Sequence, residues 1–465
     1  MTASVAAYIE ENMGASKAKN VLFGENNETK SKYEDKASIS YSDFGIEILS
    51  LDKDLVTMLS PGVIPRLWSM NDLTVFSEIR SSLHKIFLRY GVPSGITSIG
   101  SNAKSFLDKI ENICPESNNY QLIIFDRNVD FISPLLSSLN YESMIAEYLG
   151  IEYSLTKLDD KKFHCISTTE DALVSEFRIL NKSEFSKQYN QHKKTFNEAY
   201  ESKKFDDVRD GLKDFSNTAK VSLENQTLPS HYKMIKSIDL RLNYSKWKVV
   251  DDIQLEILKD SFNDIQNLVE ELFDKGAPLY LIAVVLSLAS LKKSGIDDYK
   301  KVCDEFYKNF GLQTVPFLIR LNQMGILLPK YDSKFNYTKV FEALDMFPKD
   351  WLKNGDVAAN AFKGFVPLSI RIIEKIMKGE TEQLKSKLKG AKYPVEINVF
   401  GNTEPKKFLV CFIGGSTYTE INLLRRIGIT NGYEMNFLTT EMYNRKQFFD
   451  SIAHEIPGWE DIEMN

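Results

Sequence analysis

The stretch from Gln121 to Leu149, QLIIFDRNVDFISPLLSSLNYESMIAEYL, constrains this chain more than any other. Leu122, Ile123, Ile124 and Phe125 form an unbroken apolar run, the pattern of a short strand covered on both faces. Charges arrive together at Asp126 and Arg127, and the run ends there. After Pro134 the spacing changes: Leu135, Leu136, Leu139, Ile145, Ala146 and Leu149 recur at helical intervals. Pro134 suits the first turn of such a helix, where its missing N–H has no partner to lose. A buried strand running through a polar loop into a helix is the unit of a parallel α/β sheet.

The unit returns near the end of the chain. FLVCFI, from Phe408 to Ile413, is apolar throughout and is followed by Gly414, Gly415 and a predicted helix from Thr417 to Ile427. Thr417 and Glu420 have capping-box spacing, which satisfies two free N–H groups at the helix start. Further strands are predicted from Pro394 to Phe400 and from Tyr433 to Thr440, and a last helix from Arg445 to Ala453. Upstream, residues 44–60 alternate weakly. Ser69 to Tyr90 reads as a helix stopped by Gly91 and Pro93, and Ser101 to Ile113 as a shorter one.

Between the two units the chain reads almost entirely helical from Thr168 to about Leu352. Residues 151–166 are ambiguous, with a strand pair as one reading. An apolar stripe from Gln254 to Phe273 reads as one helix, and Pro367 starts another after a loop at Gly364. Neither α/β piece holds enough strands for a covered sheet alone. The expected fold is therefore α/β: a parallel sheet domain split in sequence between 41–150 and 390–465, with a mainly helical insertion at 151–389. Residues 1–40 are polar and are expected to form a mobile lead-in. Lys187 to Lys220 is polar on most faces, and with the segment after Leu228 it suggests a projecting hairpin over about 187–243.

The net charge of -6 gives no basic surface for nucleic acid, and Lys and Arg are spread without interleaved aromatics. Four cysteines, Cys114, Cys165, Cys303 and Cys411, lie far apart, which argues against a disulfide framework and fits a reducing compartment. Gly276 to Leu291 is apolar but shorter than the roughly 18 to 20 residues that span a bilayer, and it reads as a buried core helix.

Positive signals for an enzyme are weak. Asp126, Arg127 and Asp130 follow the carboxyl end of a strand, where ligands often bind. A nucleophilic or metal-binding carboxylate is one reading, and an internal ion pair of Arg127 with Asp126 or Asp130 is the other, which we favour. The Gly414–Gly415 join resembles a phosphate cradle at a helix N-terminus but lacks GxGxxG and GK[ST]; a tight turn with an N-cap explains it. The five histidines show no metal-binding spacing, and no cofactor is expected. The exposed hairpin reads equally as solvated surface or as a dock for a partner's amphipathic helix.

IIFDRNVDFISPLLSSLNYESMI resembles the SM family of SNARE-regulating vesicle-fusion proteins, through Asp126, Arg127, Asp130, Pro134, Leu135, Leu136, Leu139, Tyr141 and Met144. FLVCFIGGSTYTEINLLRRI is similar to the family's late strand, turn and helix, with Gly414, Gly415, Thr417, Tyr418, Glu420 and Ile421 in place. FKGFVPLSIRIIE is similar to the Gly-Tyr-x-Pro-Leu-Ser-x-Arg segment of the vacuolar sorting branch, with Phe365 for Tyr. The resemblance runs from about residue 44 to the end. It implies a non-enzymatic, cytosolic SNARE-binding protein, peripheral on vacuolar or lysosomal and late endosomal membranes, working beside another subunit of a tethering complex. It makes the hairpin the SNARE platform, on which Lys194, Arg209, Lys213, Lys220 and Lys233 are expected to face the SNARE. Asp126, Arg127, Asp130, Pro134, Gly414, Gly415 and Glu420 become structural. The family carries a further α/β domain before this region, where this sequence has about forty polar residues; a fragment, a misplaced start or a lost domain is expected. The competing reading is a nucleotide- or phosphate-binding α/β enzyme, and a weaker one is a structural scaffold.

Overall fold

A computed structural model describes residues 48–109, 118–159, 162–201, 226–243, 245–262, 264–293, 295–330, 337–351, 356, 358–401 and 406–463. The expected lead-in at 1–40 lies outside them.

The strands are β1 (Leu49–Ser50), β2 (Leu55–Thr57), β3 (Pro93–Ile99), β4 (Asn118–Asp126), β5 (Leu155–Lys157), β6 (Phe163–Cys165), β7 (Ile397–Gly401), β8 (Lys407–Ile413) and β9 (Glu434–Thr439). Seven of them form one sheet in the order β1-β2-β9-β8-β4-β3-β7. The inner five run parallel, and β1 and β7 close the edges antiparallel. The two apolar runs read from the sequence are direct neighbours: Leu122 pairs with Leu409 and Phe125 with Phe412. Strands from both ends of the chain thus interleave, as the strand shortage of each piece implied. β5 and β6 pair separately, within the stretch that was ambiguous in sequence.

The central runs are apolar throughout because both faces are covered, and strand alternation divides them cleanly. Ile123, Phe125, Val410, Phe412 and Phe437 enter the core shared with the helical region. Leu122, Ile124, Leu409, Cys411, Ile413 and Leu438 enter a second core on the opposite face. That face is covered by α1 (Val63–Trp68), α2 (Val75–Tyr90) and α3 (Ser101–Lys109).

β3 is a strand that the sequence reading missed. PSGITSI has no apolar run and opens on a proline, so nothing local announces it. It becomes extended because β4 and β7 each supply a ladder, Ile96 pairing with both Leu122 and Phe400.

A second correction concerns Pro134. Ser133–Leu135 is a single 3-10 turn, and the following helix, α4 (Tyr141–Tyr148), starts only at Tyr141. Leu135 and Leu136 are buried, but in the turn and the loop after it, and Leu139 is half-buried; apolar spacing tracked burial there, not helix.

The helical region continues with α5 (Leu173–Phe177), α6 (Lys182–Glu201) and α7 (226–243), then α8 (Lys248–Leu258) and α9 (Ile265–Asp274). The stripe read as one helix over Gln254 to Phe273 is therefore broken between α8 and α9. Asp260 there adopts φ 61, a left-handed conformation that ends a helix. Next is α10 (Leu279–Lys293), almost wholly buried, the core helix read from its even apolarity. No helix of the described residues is long and apolar enough to cross a membrane. The remaining helices are α11 (Tyr299–Phe310), α12 (Thr314–Gln323), α13 (Tyr337–Ala343), α14 (Leu368–Met377), α15 (Thr381–Gly390), α16 (Tyr418–Asn431), α17 (Arg445–Ile452) and α18 (Trp459–Glu463).

Candidate functional site

Two places emerge from the residues singled out above: the carboxyl edge of the sheet and the helical pair.

At the carboxyl edge, β4 ends in Asp126, and each carboxylate oxygen accepts a backbone N–H. Asn102 N donates at 2.9 Å from the start of α3, and Asn128 N at 3.1 Å from the next turn. Burial pushes this carboxyl up to about 6, against those donors and Arg127. Asp126 is fully buried, so it presents no nucleophile. Its neighbour Arg127 turns the other way and is also fully buried. It donates to both oxygens of Glu420, at 2.9 and 3.0 Å, and stands 3.8 Å from Asp130. Burial would lower the guanidinium pKa, but Glu420 and Asp130 raise it above its ordinary value.

Glu420 serves two purposes. It completes the capping box of α16, accepting from Thr417 N at 3.0 Å, and it is the counter-ion of Arg127. The expected ion pair of Arg127 with Asp130 is present at 3.8 Å, but the nearer partner, Glu420, lies 293 residues away in sequence and was not foreseen. Asp130 instead accepts N–H groups from Ile132 and Ser133, and from Ser369 at 2.8 Å at the start of α14. Ser369 also donates its hydroxyl to Glu420. The Asp-Arg-x-x-Asp, Pro-Leu-Ser and Gly-Gly-x-Thr-x-x-Glu segments therefore meet in one buried lattice. The serine went unremarked in sequence, although its segment was quoted.

The Gly-Gly join is closed. Gly414 and Gly415 have φ 88 and 84, conformations that favour glycine. A side chain on Gly414 would strike Trp68, and one on Gly415 would strike Tyr443. Tyr443 donates its hydroxyl to Gly414 O at 3.0 Å. Aromatic rings fill the space a phosphate would take, as a tight turn requires.

The helical pair is built differently. α6 and α7 run antiparallel: Lys182 bonds Asp239 at 2.6 Å, and Tyr189 stacks on Tyr232 at 5.2 Å. Their foot is an aromatic cluster in which Tyr141 of α4 stacks on Phe185 at 4.8 Å, with Phe177 and His231 edge-on around them. Phe185, Leu228, Met234, Ile235 and Ile238 are buried here, so the foot belongs to the core and is not free surface. His231 bonds Tyr141 and Asp171, at 2.5 and 2.8 Å. Burial lowers the His231 pKa, and Asp171 opposes it. Burial likewise pushes the Tyr141 phenol well up. Away from the foot, Tyr232 and Leu240 are half exposed, at 51% each.

Of the five cations expected on this pair, Lys194 is an exposed residue of α6. Lys233 is on α7 and pairs with Asp159 at 2.8 Å. Arg209, Lys213 and Lys220 lie outside the described residues. The residues that anchor the pair, Phe177, Phe185 and His231, were not found by sequence reasoning; only Tyr141 belonged to a recognised motif.

A third network ties the start of the described chain to this region. Asp52 accepts from Arg178 and Thr168 and lies 3.6 Å from Arg425. Burial raises the Asp52 carboxyl, but those partners outweigh it and hold it at about 2.

A split, mostly parallel sheet with a buried Arg–Glu weld and a helical pair footed on the insertion defines a class. The chain belongs to the Sec1 family, whose profile matches residues 20–451. It is similar to vacuolar protein sorting-associated protein 33A of Rattus norvegicus, 23% identical over 465 residues, covering 89% of this chain and 76% of that one. The fold is similar to the Unc18–syntaxin 1 complex from Monosiga brevicollis, with a TM-score of 0.62, 14% identity, and coverage of 93% and 82%. It is also similar to the SM protein Vps45 in complex with the Qa SNARE Tlg2, with a TM-score of 0.55, 16% identity, and coverage of 95% and 82%. The SM resemblance is borne out.

Proposed function

We propose that this chain is a SNARE-binding protein of vesicle traffic, serving transport from endosome to vacuole or lysosome as one subunit of a tethering complex. The observation that carries the reading is the Sec1 profile, which runs through 20–451 and so across the whole helical pair. Solved chains of similar fold are bound to syntaxin 1 and to Tlg2, and the curated relative is named for vacuolar sorting. The mechanism is helix docking. A SNARE helix lies along α6 and α7, with Lys194, Arg209, Lys213, Lys220 and Lys233 meeting its acidic positions and Tyr232 its apolar ones. A rigid foot lowers the ordering cost that the SNARE would otherwise bear alone.

The test is capture of SNARE cytosolic segments by the purified chain. Removing all of 187–243 would strip core residues such as Met234 and Ile235, so the informative deletion is 202–225, which spares the foot. It removes Arg209, Lys213 and Lys220, so it should weaken SNARE capture at least about tenfold and leave binding of a tethering-complex subunit intact. Undiminished capture by the shortened chain would end the reading.

A further inference from the structure

The five histidines are scattered in sequence, yet two of them converge in space. His164 on β6 and His231 on α7 each aim Nε2 at Oδ2 of Asp171, just before α5, at 3.0 and 2.8 Å. The three ligand atoms lie within 4.8 Å of one another. The imidazoles stand nearly perpendicular, at 79°, with ring centres 5.1 Å apart, so both nitrogens reach one point without stacking.

We propose that His164, Asp171 and His231 bind one divalent first-row transition-metal ion of the zinc type, fastening α7 to the body of the protein. The donor set of two imidazoles and a carboxylate is of the kind that holds such an ion with one position left for water. The surroundings orient each donor, as second-shell groups do at metal centres. His231 Nδ1 is engaged by Tyr141, so its ring cannot turn away. Asp171 Oδ1 accepts from Thr227 Oγ1 and Leu173 N, both at 3.0 Å, which leaves Oδ2 for the shared point. His164 supplies the independent sign. Its Nε2 is buried and ion-paired with Asp171 at 3.0 Å, but off the angle of a full hydrogen bond among the described residues. A lone pair held off the hydrogen-bond line in this way is placed to ligate an ion at the shared point.

The geometry asks for little movement. Ligand atoms around a tetrahedral ion with bonds of about 2.0–2.1 Å lie roughly 3.4 Å apart, about half an ångström wider than the two nitrogen–oxygen separations of 3.0 and 2.8 Å. His164 is at the rim, with its side chain 10% exposed, so an ion can enter past it. The inference stands independently of the SNARE reading, since it concerns only the foot of the pair.

The experiment strips the purified chain with a chelator and titrates it with Co2+, then displaces the cobalt with Zn2+. The expected result is about one equivalent bound, visible cobalt bands of low-symmetry coordination, and a rise in unfolding temperature with Zn2+. His164→Gln, at the rim, should weaken binding by at least about tenfold and abolish the rise, while leaving the metal-free far-UV spectrum unchanged. His192→Gln, a nearby imidazole outside the cluster, should change nothing. No binding, full binding by His164→Gln, or an equal loss in His192→Gln would overturn the assignment.

Discussion

At the carboxyl edge of the sheet, Arg127 is held by Glu420, and Asp130 and Ser369 close the lattice from a third element. At the foot of the helical pair, His164 and His231 converge on one oxygen of Asp171, at 3.0 and 2.8 Å. The first cluster is charged, fully buried and drawn from three distant stretches of chain. The second is rimmed by partial exposure and aromatic rings. The difference teaches what each tolerates. A fully buried ion pair, bidentate between Arg127 and Glu420, fixes one arrangement of strands and helices and presents no open face to a ligand. A histidine cluster whose nitrogens converge on one carboxylate oxygen at the rim of the core can still admit an ion.

The contrast is broken most severely by removing one partner of the buried pair. Glu420→Ala should destabilise the chain by about 3–5 kcal/mol, because Arg127 is left charged without its near counter-ion. Denaturant midpoints would show it. Replacing Arg127 and Glu420 together with apolar residues of similar size should cost far less than the two single changes summed, and additive losses would contradict the lattice.

Next is Phe185→Ala at the foot, expected to cost about 3 kcal/mol through the cavity left against Tyr141 and Phe177. Hydrogen exchange should quicken in α6 and α7 while β4 and β8 stay protected. Uniform loss of protection would mean that the foot and the sheet unfold as one unit.

A smaller effect separates the sheet edge by pH. Asp126 titrates at about 6 in the folded protein, above the ordinary carboxylate value of 3.8, so the native state holds a proton the unfolded chain has lost. Stability should therefore decline by about 2–3 kcal/mol as pH rises from about 4 to 6, and Asp126→Asn should flatten that slope. Asp52 works in the opposite direction: held at about 2, it contributes stability that is present above 3.8 and is lost as pH falls toward 2. An unchanged profile in Asp126→Asn would remove the buried carboxyl from the account. The smallest stability change belongs to Tyr232→Ala, about 0.5 kcal/mol or less at a half-exposed site, with SNARE capture several-fold weaker. Equal capture would move the platform elsewhere.

The sequence by itself determined the central strand pair β4 and β8, because only a strand covered on both faces is apolar at every position, as in LIIF and FLVCFI. It also determined the start of α16, because a capping box is a local arrangement of two residues, Thr417 and Glu420, and their own N–H groups. It gave α10 as a core helix by its even apolarity. The tertiary structure alone decided β3, whose serines and glycine extend only between two neighbouring ladders. It alone decided that Pro134 begins a turn and not a helix, since burial by distant elements can set apolar spacing without helical geometry. It decided the partner of Arg127 and the meeting of His164 with His231. Such pairings join residues far apart along the chain, and no local pattern records which of many distant groups a folded backbone will bring within 3 Å.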